Sequence, residues 1–322
     1  MSKKSVSVSA KAKHRNNSSR DRSSSTTMAK SGEEEWLAAD IEEHAKMMKK
    51  LINNTEFSDI KFLIGPSRKQ IHAHRCILSA RCAVFKAMFA EKPTAGDKEI
   101  PFVLSDMAPD IFLTMLEYIY TNCVTLSPKS ALDVLATSLE YGLDGLRDLC
   151  VDYLENKLSV SNACDVMQAA VTYNQNDLKE KALDFIEDNT EEVFKSKSFQ
   201  EISEDTLVSI LRSNRLNMDE VDLYKAVKEW ATISAVVNNK QLHEVARDAV
   251  KNIRLPLLTP SELKGLEEDN KKDHFIPVEH FASAWRVHAL KEGDKENILS
   301  CCRRGTTPRD HHKYLSDNSH AA

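Results

Sequence analysis

The residues with the strongest metal chemistry are His72, His74 and Cys76, in the run His72-Ala73-His74-Arg75-Cys76. On an extended strand these alternate positions point to one side. Two imidazoles and a thiolate are ligands that zinc accepts, but a zinc site also draws a fourth ligand or an open water position from elsewhere. No second His/Cys cluster with ligand spacing accompanies them, and His311-His312 and Cys301-Cys302 fall in a polar stretch that the pattern does not place. The segment therefore reads as a half-buried strand running into a helix, and no metal or other cofactor is expected. Nucleophilic chemistry is equally thin. The sequence has no G-x-x-x-x-G-K-[ST], G-x-G-x-x-G, G-x-S-x-G or H-E-x-x-H. Cys76, Cys82, Cys123, Cys150 and Cys164 sit among apolar neighbours, where a thiol is inert. A non-catalytic chain is expected.

Composition narrows the class further. Of 322 residues, 41% are hydrophobic and 29% charged, with 8 Gly and 9 Pro, as in globular chains and unlike fibrous or wholly disordered ones. Seven cysteines without a C-x-x-C pair do not make a disulfide scaffold. No apolar stretch follows the N-terminal lysines and no apolar run is long enough to span a bilayer. The expectation is reduced thiols, no membrane partner, and a cytoplasmic or nuclear location. The net charge of −5 hides an asymmetry. Residues 1–31 hold eight of the 44 basic residues and one acidic residue, which leaves 36 basic and 48 acidic beyond them, a balance of −12. A body this acidic is a poor phosphate binder, so no nucleic-acid partner is expected.

Periodicity supplies the elements. Residues 1–31, rich in Ser, Lys, Arg and Asn, bury too little to order. A helix is predicted over 33–52, carrying Trp36, Leu37, Ile41, Met47, Met48 and Leu51. Strands follow at Asp59–Ile64 and Ile71–Arg75 around a polar turn at 65–68. One helical stripe then spans Ile77, Arg81, Val84, Phe85, Met88 and Phe89, before a short strand at Glu99–Leu104. A helix is predicted from Pro109, and two more at 129–141 and 143–157, separated by Gly142 as a left-handed stop. Beyond 160 the pattern is helical: 163–173, 177–187, 205–211, 220–236, 241–253 and 278–290, with Pro256 and Pro260 as breaks.

Four runs share an order that is specific as a set: Phe57-Ser58-Asp59-Ile60; Ile71-His72-Ala73-His74-Arg75-Cys76-Ile77-Leu78-Ser79-Ala80; Val84-Phe85-Lys86-Ala87-Met88-Phe89; and Phe112 to Thr121 with Tyr118-Ile119-Tyr120. By these, residues 36–157 resemble a BTB/POZ domain. Asn162-Ala163-Cys164, Ala182-Leu183-Asp184-Phe185-Ile186, Glu204-Asp205-Thr206-Leu207, Asp219-Glu220-Val221-Asp222 and Ala226-Val227-Lys228-Glu229-Trp230 resemble the BACK helical array that often follows it. The fold class implied is α+β: a small sheet covered by helices, then an all-α array. The organisation expected is a basic tail at 1–31, BTB/POZ at 32–157, BACK at 158–265, a helical extension at 266–292, and a polar, flexible tail at 293–322.

The resemblance also implies roles. BTB domains usually homodimerise through their first helix, which would make Leu37, Ile41, Met47, Met48 and Leu51 an interface, and a two-fold contact is self-complementary and closes. Asp59 and Arg75 match an acid–base pair near the dimer floor, beneath a lateral groove. The function implied is a homodimeric protein–protein interaction scaffold or adaptor with an unknown client. The alternatives are a substrate adaptor of a cullin-3 ubiquitin ligase and a corepressor-recruiting cofactor. Cullin contact would involve Met88, Phe89 and Glu91. Phe89-Ala90-Glu91 has the hydrophobic-x-acidic residue types but comes early, and the matching place holds Pro93 and Ala95. No kelch, MATH or zinc-finger segment flanks the core. Arg303-Arg304-Gly305-Thr306 resembles a basophilic kinase site, with Arg303, Arg304 and Arg309 expected to fold back on a phosphate at Thr306.

Overall fold

The computed structural model describes residues 40–91, 101–293 and 297–315. Helix α1 (Ile41–Lys49) is followed by strands β1 (Ile60–Ile64) and β2 (Lys69–Ala73), then helices α2 (Arg75–Arg81) and α3 (Ala83–Ala90). Strand β3 (Phe102–Leu104) and helices α4 (Pro109–Thr121), α5 (Ala131–Glu140) and α6 (Asp144–Asn156) complete the first half. The sheet order is β2-β1-β3, with β1 antiparallel to β2 and parallel to β3. The second half, within the described residues, is helical: α7 (Ala163–Thr172), α8 (Asn176–Asp188), α9 (Thr190–Phe194), α10 (Lys197–Glu201), α11 (Glu204–Leu211), α12 (Glu220–Asn238), α13 (Leu242–Val245), α14 (Pro260–Asp273) and α15 (Val278–Leu290). No helix among the described residues is long and apolar enough to cross a membrane.

Alternation builds the sheet: Ile60, Phe62 and Ile64 point inward from β1 while Lys61 faces water. The Phe62 ring is the centre of an aromatic cluster, with centroids 5.7 Å from Phe85, 5.9 Å from Phe102 and 5.1 Å from Phe112. Gly65 closes the β1 end at φ +71, where a Cβ would lie 3.3 Å from the Met107 carbonyl. Gly142 takes φ +63 between α5 and α6, as its place in the sequence predicts. From Ile60 to Ala284 the buried apolar residues form one core cluster, and α6 lies against α8, so the apolar core does not break between the halves.

Several elements depart from the sequence reading. The first helix is shorter: it ends at Lys49, Leu51 sits in the following turn, and Trp36 and Leu37 lie outside the described residues. The stripe over 77–89 is two helices, because Cys82 is extended (φ −140, ψ 119) and its thiol donates to the Tyr141 carbonyl at 3.3 Å. β2 stops at Ala73, so Arg75 opens a helix rather than closing a strand. Only the end of the Glu99–Leu104 strand falls among the described residues.

The stripe at 241–253 is not one helix. The Glu204 carboxylate accepts the Asp248 and Ala249 amides at 2.6 and 3.0 Å, taking donors that a continuing helix would turn inward. Ala246, Ala249, Val250 and Ile253 are buried nonetheless, so the stripe was reporting core. Pro260, read as a breaker, is the first residue of α14 behind a Thr259–Glu262 capping box. Asn270 then holds the turn into α15, accepting the Ile276 amide at 2.7 Å and donating to its carbonyl at 2.8 Å.

Truncating Phe62 to Ala removes the centre of the ring cluster and is expected to cost about 3–5 kcal/mol. In urea the shared core predicts a single unfolding transition for both halves, displaced to lower denaturant in this variant.

Candidate protein-interaction surfaces

Helix α1 carries Ile41 and Met47 into solvent, 68% and 51% exposed. Met48 and Leu51 instead pack, half-buried, against the core. Lys49 fixes the end of the helix by an ion pair to Glu117 at 2.6 Å. Of the five residues expected at a dimer face, two are therefore displayed, two are packed inward, and Leu37 lies outside the described residues.

Asp59 and Arg75 meet, but not as a charge pair. The Asp59 carboxylate accepts the Arg75 backbone amide at 2.8 Å, satisfying a first-turn donor of α2. The Arg75 guanidinium lies over Phe89 at 5.0 Å and Phe102 at 5.8 Å from the ring centroids. The floor of the expected groove is thus a capped helix start beside an arginine lid on two aromatic rings. Below that lid, Phe89 stacks on Phe85 at 5.9 Å and Met88 is half-buried, while Glu91 is exposed at the end of α3. Pro93 and Ala95 lie outside the described residues.

The fold does not bring residues 72, 74 and 76 together as a ligand set. Cys76 is an exposed residue of α2. His74 is buried, with Nδ1 3.0 Å from the Tyr120 hydroxyl and Nε2 3.4 Å from the Glu56 carbonyl. His72 pairs with Gln70 at 2.8 Å. Among the described residues no three His, Cys, Asp or Glu side chains are grouped to hold a metal ion. Burial pushes the Tyr120 hydroxyl up to about 12, and the Cys150 and Cys164 thiols to about 12 as well, which keeps all three protonated.

The largest departure from the sequence is at the C-terminal end. Residues 297–315, read as part of a polar, flexible tail, form a strap on the second half. Arg303 has no exposed side-chain surface, and neither does Glu220, to which its Nε donates at 3.1 Å. The same guanidinium reaches the carbonyls of Leu211, at 2.6 Å, Asn252, at 2.9 Å, and Ser213. Arg254, buried alongside, donates its backbone amide to Glu220 at 2.6 Å and its side chain to the Cys301 carbonyl at 2.7 Å. Burial, and then the facing charge of Arg303, push the Arg254 guanidinium down to about 10.

Farther along, Arg309 grips Asp219 with two nitrogens, at 2.9 and 3.0 Å, and Glu262 with two contacts at 3.1 Å. For Asp219 burial works upward, yet Arg309 and the Thr307 and Val221 amides outweigh it and hold the carboxyl well below its usual range. Glu262 is held low on the same balance. Three imidazoles close the strap: His311, His312 and His288 each donate Nε2–H, to the carbonyls of Pro256, Leu257 and Leu258 at 3.1, 2.8 and 3.0 Å. Burial lowers His288 and His311 below their ordinary value.

Thr306 sits inside this strap, half-buried, its hydroxyl accepting the Arg303 amide at 2.8 Å. The three arginines expected to fold back on its phosphate are engaged elsewhere: Arg303 on Glu220, Arg304 on Asp188, and Arg309 on Asp219 and Glu262.

The human BTB/POZ domain-containing protein 19 is 45% identical over 269 residues, which cover 83% of this chain and 92% of that protein. The chain belongs to the BTB/POZ family. A BTB/POZ domain model matches residues 48–158, and a BACK model, described as BTB And C-terminal Kelch, matches 163–268. The zebrafish (Danio rerio) BTB/POZ domain-containing protein 6-A is 30% identical over 221 residues, covering 66% of this chain and 40% of that protein. A solved BTB domain of human Gigaxonin is 18% identical, with a TM-score of 0.31, covering 38% of this chain and 100% of that domain. BTB/POZ and BACK domains are typically protein-interaction and adaptor modules and generally non-enzymatic. The strap at 297–315 lies beyond both matched segments.

Two outcomes follow. If Asp59 acts as a cap, Asp59→Asn keeps an acceptor and costs little, while Asp59→Ala costs about 1 kcal/mol in urea unfolding; equal losses would mean a charge pair instead. The lowered His288 and His311 mean the unfolded chain binds more protons than the folded chain below their ordinary value near 6.5. The melting temperature should therefore fall as pH drops from about 7.5 to 5.5. The fall should be shallower in the His288→Gln, His311→Gln double variant.

Proposed function

We propose that the chain is a non-catalytic, homodimeric interaction scaffold of the cytosol or nucleus, with α1 as its self-contact. The observation that carries this reading is the display of Ile41 and Met47 on a helix whose neighbouring Met48 is half-buried against the core. Displayed apolar side chains on an anchored helix favour a partner that covers them. A second copy related by a two-fold axis covers both faces at once and closes the assembly.

The adaptor reading, with cullin-3 as partner, needs Met88, Phe89 and Glu91 free. Phe89 is committed to the ring stack under Arg75, which leaves Glu91 and part of Met88. The corepressor reading needs the Asp59–Arg75 groove, where both side chains already serve internal roles. The scaffold reading asks for neither.

Light scattering after size exclusion on the full chain tests the proposal. Twice the 36.3 kDa chain mass is expected, falling to one chain mass in the Ile41→Asp, Met47→Asp double variant. A monomeric unmodified chain would overturn it. Adding the cullin-3 N-terminal domain forms the second arm, in which co-elution would make adaptor the working function.

A further inference from the structure

The strap is bound in an unusual way for a chain segment. Of residues 297–315, only Ser300, Arg303 and Leu315 are buried, so little apolar surface holds it. Its anchors are directional. The Arg304 amide donates to the Asn214 carbonyl at 2.8 Å and the Gly305 amide to the Leu216 carbonyl at 3.1 Å, both from a turn closed by the Thr306 amide on the Arg303 carbonyl at 3.0 Å. Between these and the two arginine pockets, Gly305 lies so close to the Asn217–Met218 backbone that a Cβ would overlap the Met218 amide nitrogen. The surface thus reads three positions of one peptide: arginine on Glu220, glycine on the 217–218 backbone, and arginine on Asp219 and Glu262.

We propose that the groove formed by Asn214–Glu220 and Glu262 is a recognition site for segments of the pattern Arg-x-Gly-x-x-x-Arg. In this chain residues 303–309 occupy it, and the partner it takes on release of the strap is an arginine-bearing segment of another protein. Charge complementarity sets the class of partner: three carboxylates face two guanidiniums, one pair of them wholly buried. The buried Glu220 sets the selectivity, because a segment lacking the first arginine leaves that carboxylate without its side-chain partner. With few buried apolar side chains, what holds the strap closed is the buried Glu220–Arg303 pair and the carbonyls around it, and release of the strap lets water reach that carboxylate. The inference rests on the chain being an interaction protein but not on its dimerising, and peptide binding and oligomeric mass are separate readouts.

The test uses the full chain carrying Gly305→Ala, which displaces the strap and leaves the groove residues unaltered. A fluorescent peptide of residues 297–315 of the natural sequence is titrated by anisotropy. Saturable binding is expected, weaker by roughly tenfold or more with an Arg303→Met peptide and lost with a Gly305→Ala peptide. Absence of saturable binding to the folded variant, or equal binding of the Arg303→Met peptide, overturns the proposal. Amide exchange on the unmodified chain is the second readout, independent of whether the variant folds. The Arg304 and Gly305 amides are expected to exchange faster than the Val227 amide in α12; exchange only together with α12 overturns the proposal.

Discussion

A carboxylate with no exposed surface has to be answered by charge and by hydrogen bonds, or the chain will not bury it. Glu220, the first residue of α12, imposes that condition on the second half. Its two oxygens draw in the Arg254 amide and the Arg303 guanidinium, from segments 34 and 83 residues away. Those arginines in turn settle the last carbonyls of α11 and the segment after it, at Leu211 and Ser213, and the carbonyls of Asn252 and Cys301. One acid thus brings the start of a long helix, the end of another, the turn before α14 and the C-terminal strap to a single point.

The first half is organised by rings instead. Phe62, Phe85, Phe89, Phe102 and Phe112 fill the space between the sheet and its helices, and the Arg75 guanidinium lies over their outer edge. The charged residues nearest the expected groove are spent on this arrangement, one as a helix cap and one as a lid. Outside the ring cluster the first half displays Ile41, Met47, Phe57 and Val103 to solvent.

The apolar periodicity made most of this legible. β1, α4 to α8, α11, α12 and α15 follow their stripes closely, because each buries one face and the period shows which. The misses have particular causes. Glu204 diverts two amides and stops the helix after α13; Cys82 takes an extended conformation inside an otherwise continuous stripe; Pro260 serves as a start where it was read as a stop. The strap was the largest miss. In sequence its arginines read as partners for a phosphate at Thr306, since nothing local shows that Glu220, Asp219 and Glu262 lie opposite. In Arg-Arg-Gly-Thr the glycine carries more information than the hydroxyl, because only a residue without a Cβ fits against the Asn217–Met218 backbone. At Asp59 and Arg75 the contact runs from the Arg75 backbone amide to the Asp59 carboxylate, an arrangement that residue types alone do not show.

The unbroken core from Ile60 to Ala284 has a mechanical meaning. Modules joined by flexible tethers present their ligands at a local concentration that depends on tether length. Here side-chain packing takes the place of a tether. Anything gripped by the helical half is held at a fixed bearing and distance from whatever the sheet-bearing half contacts. Reach would then be changed by repacking the α6–α8 seam, not by adding or removing loop residues.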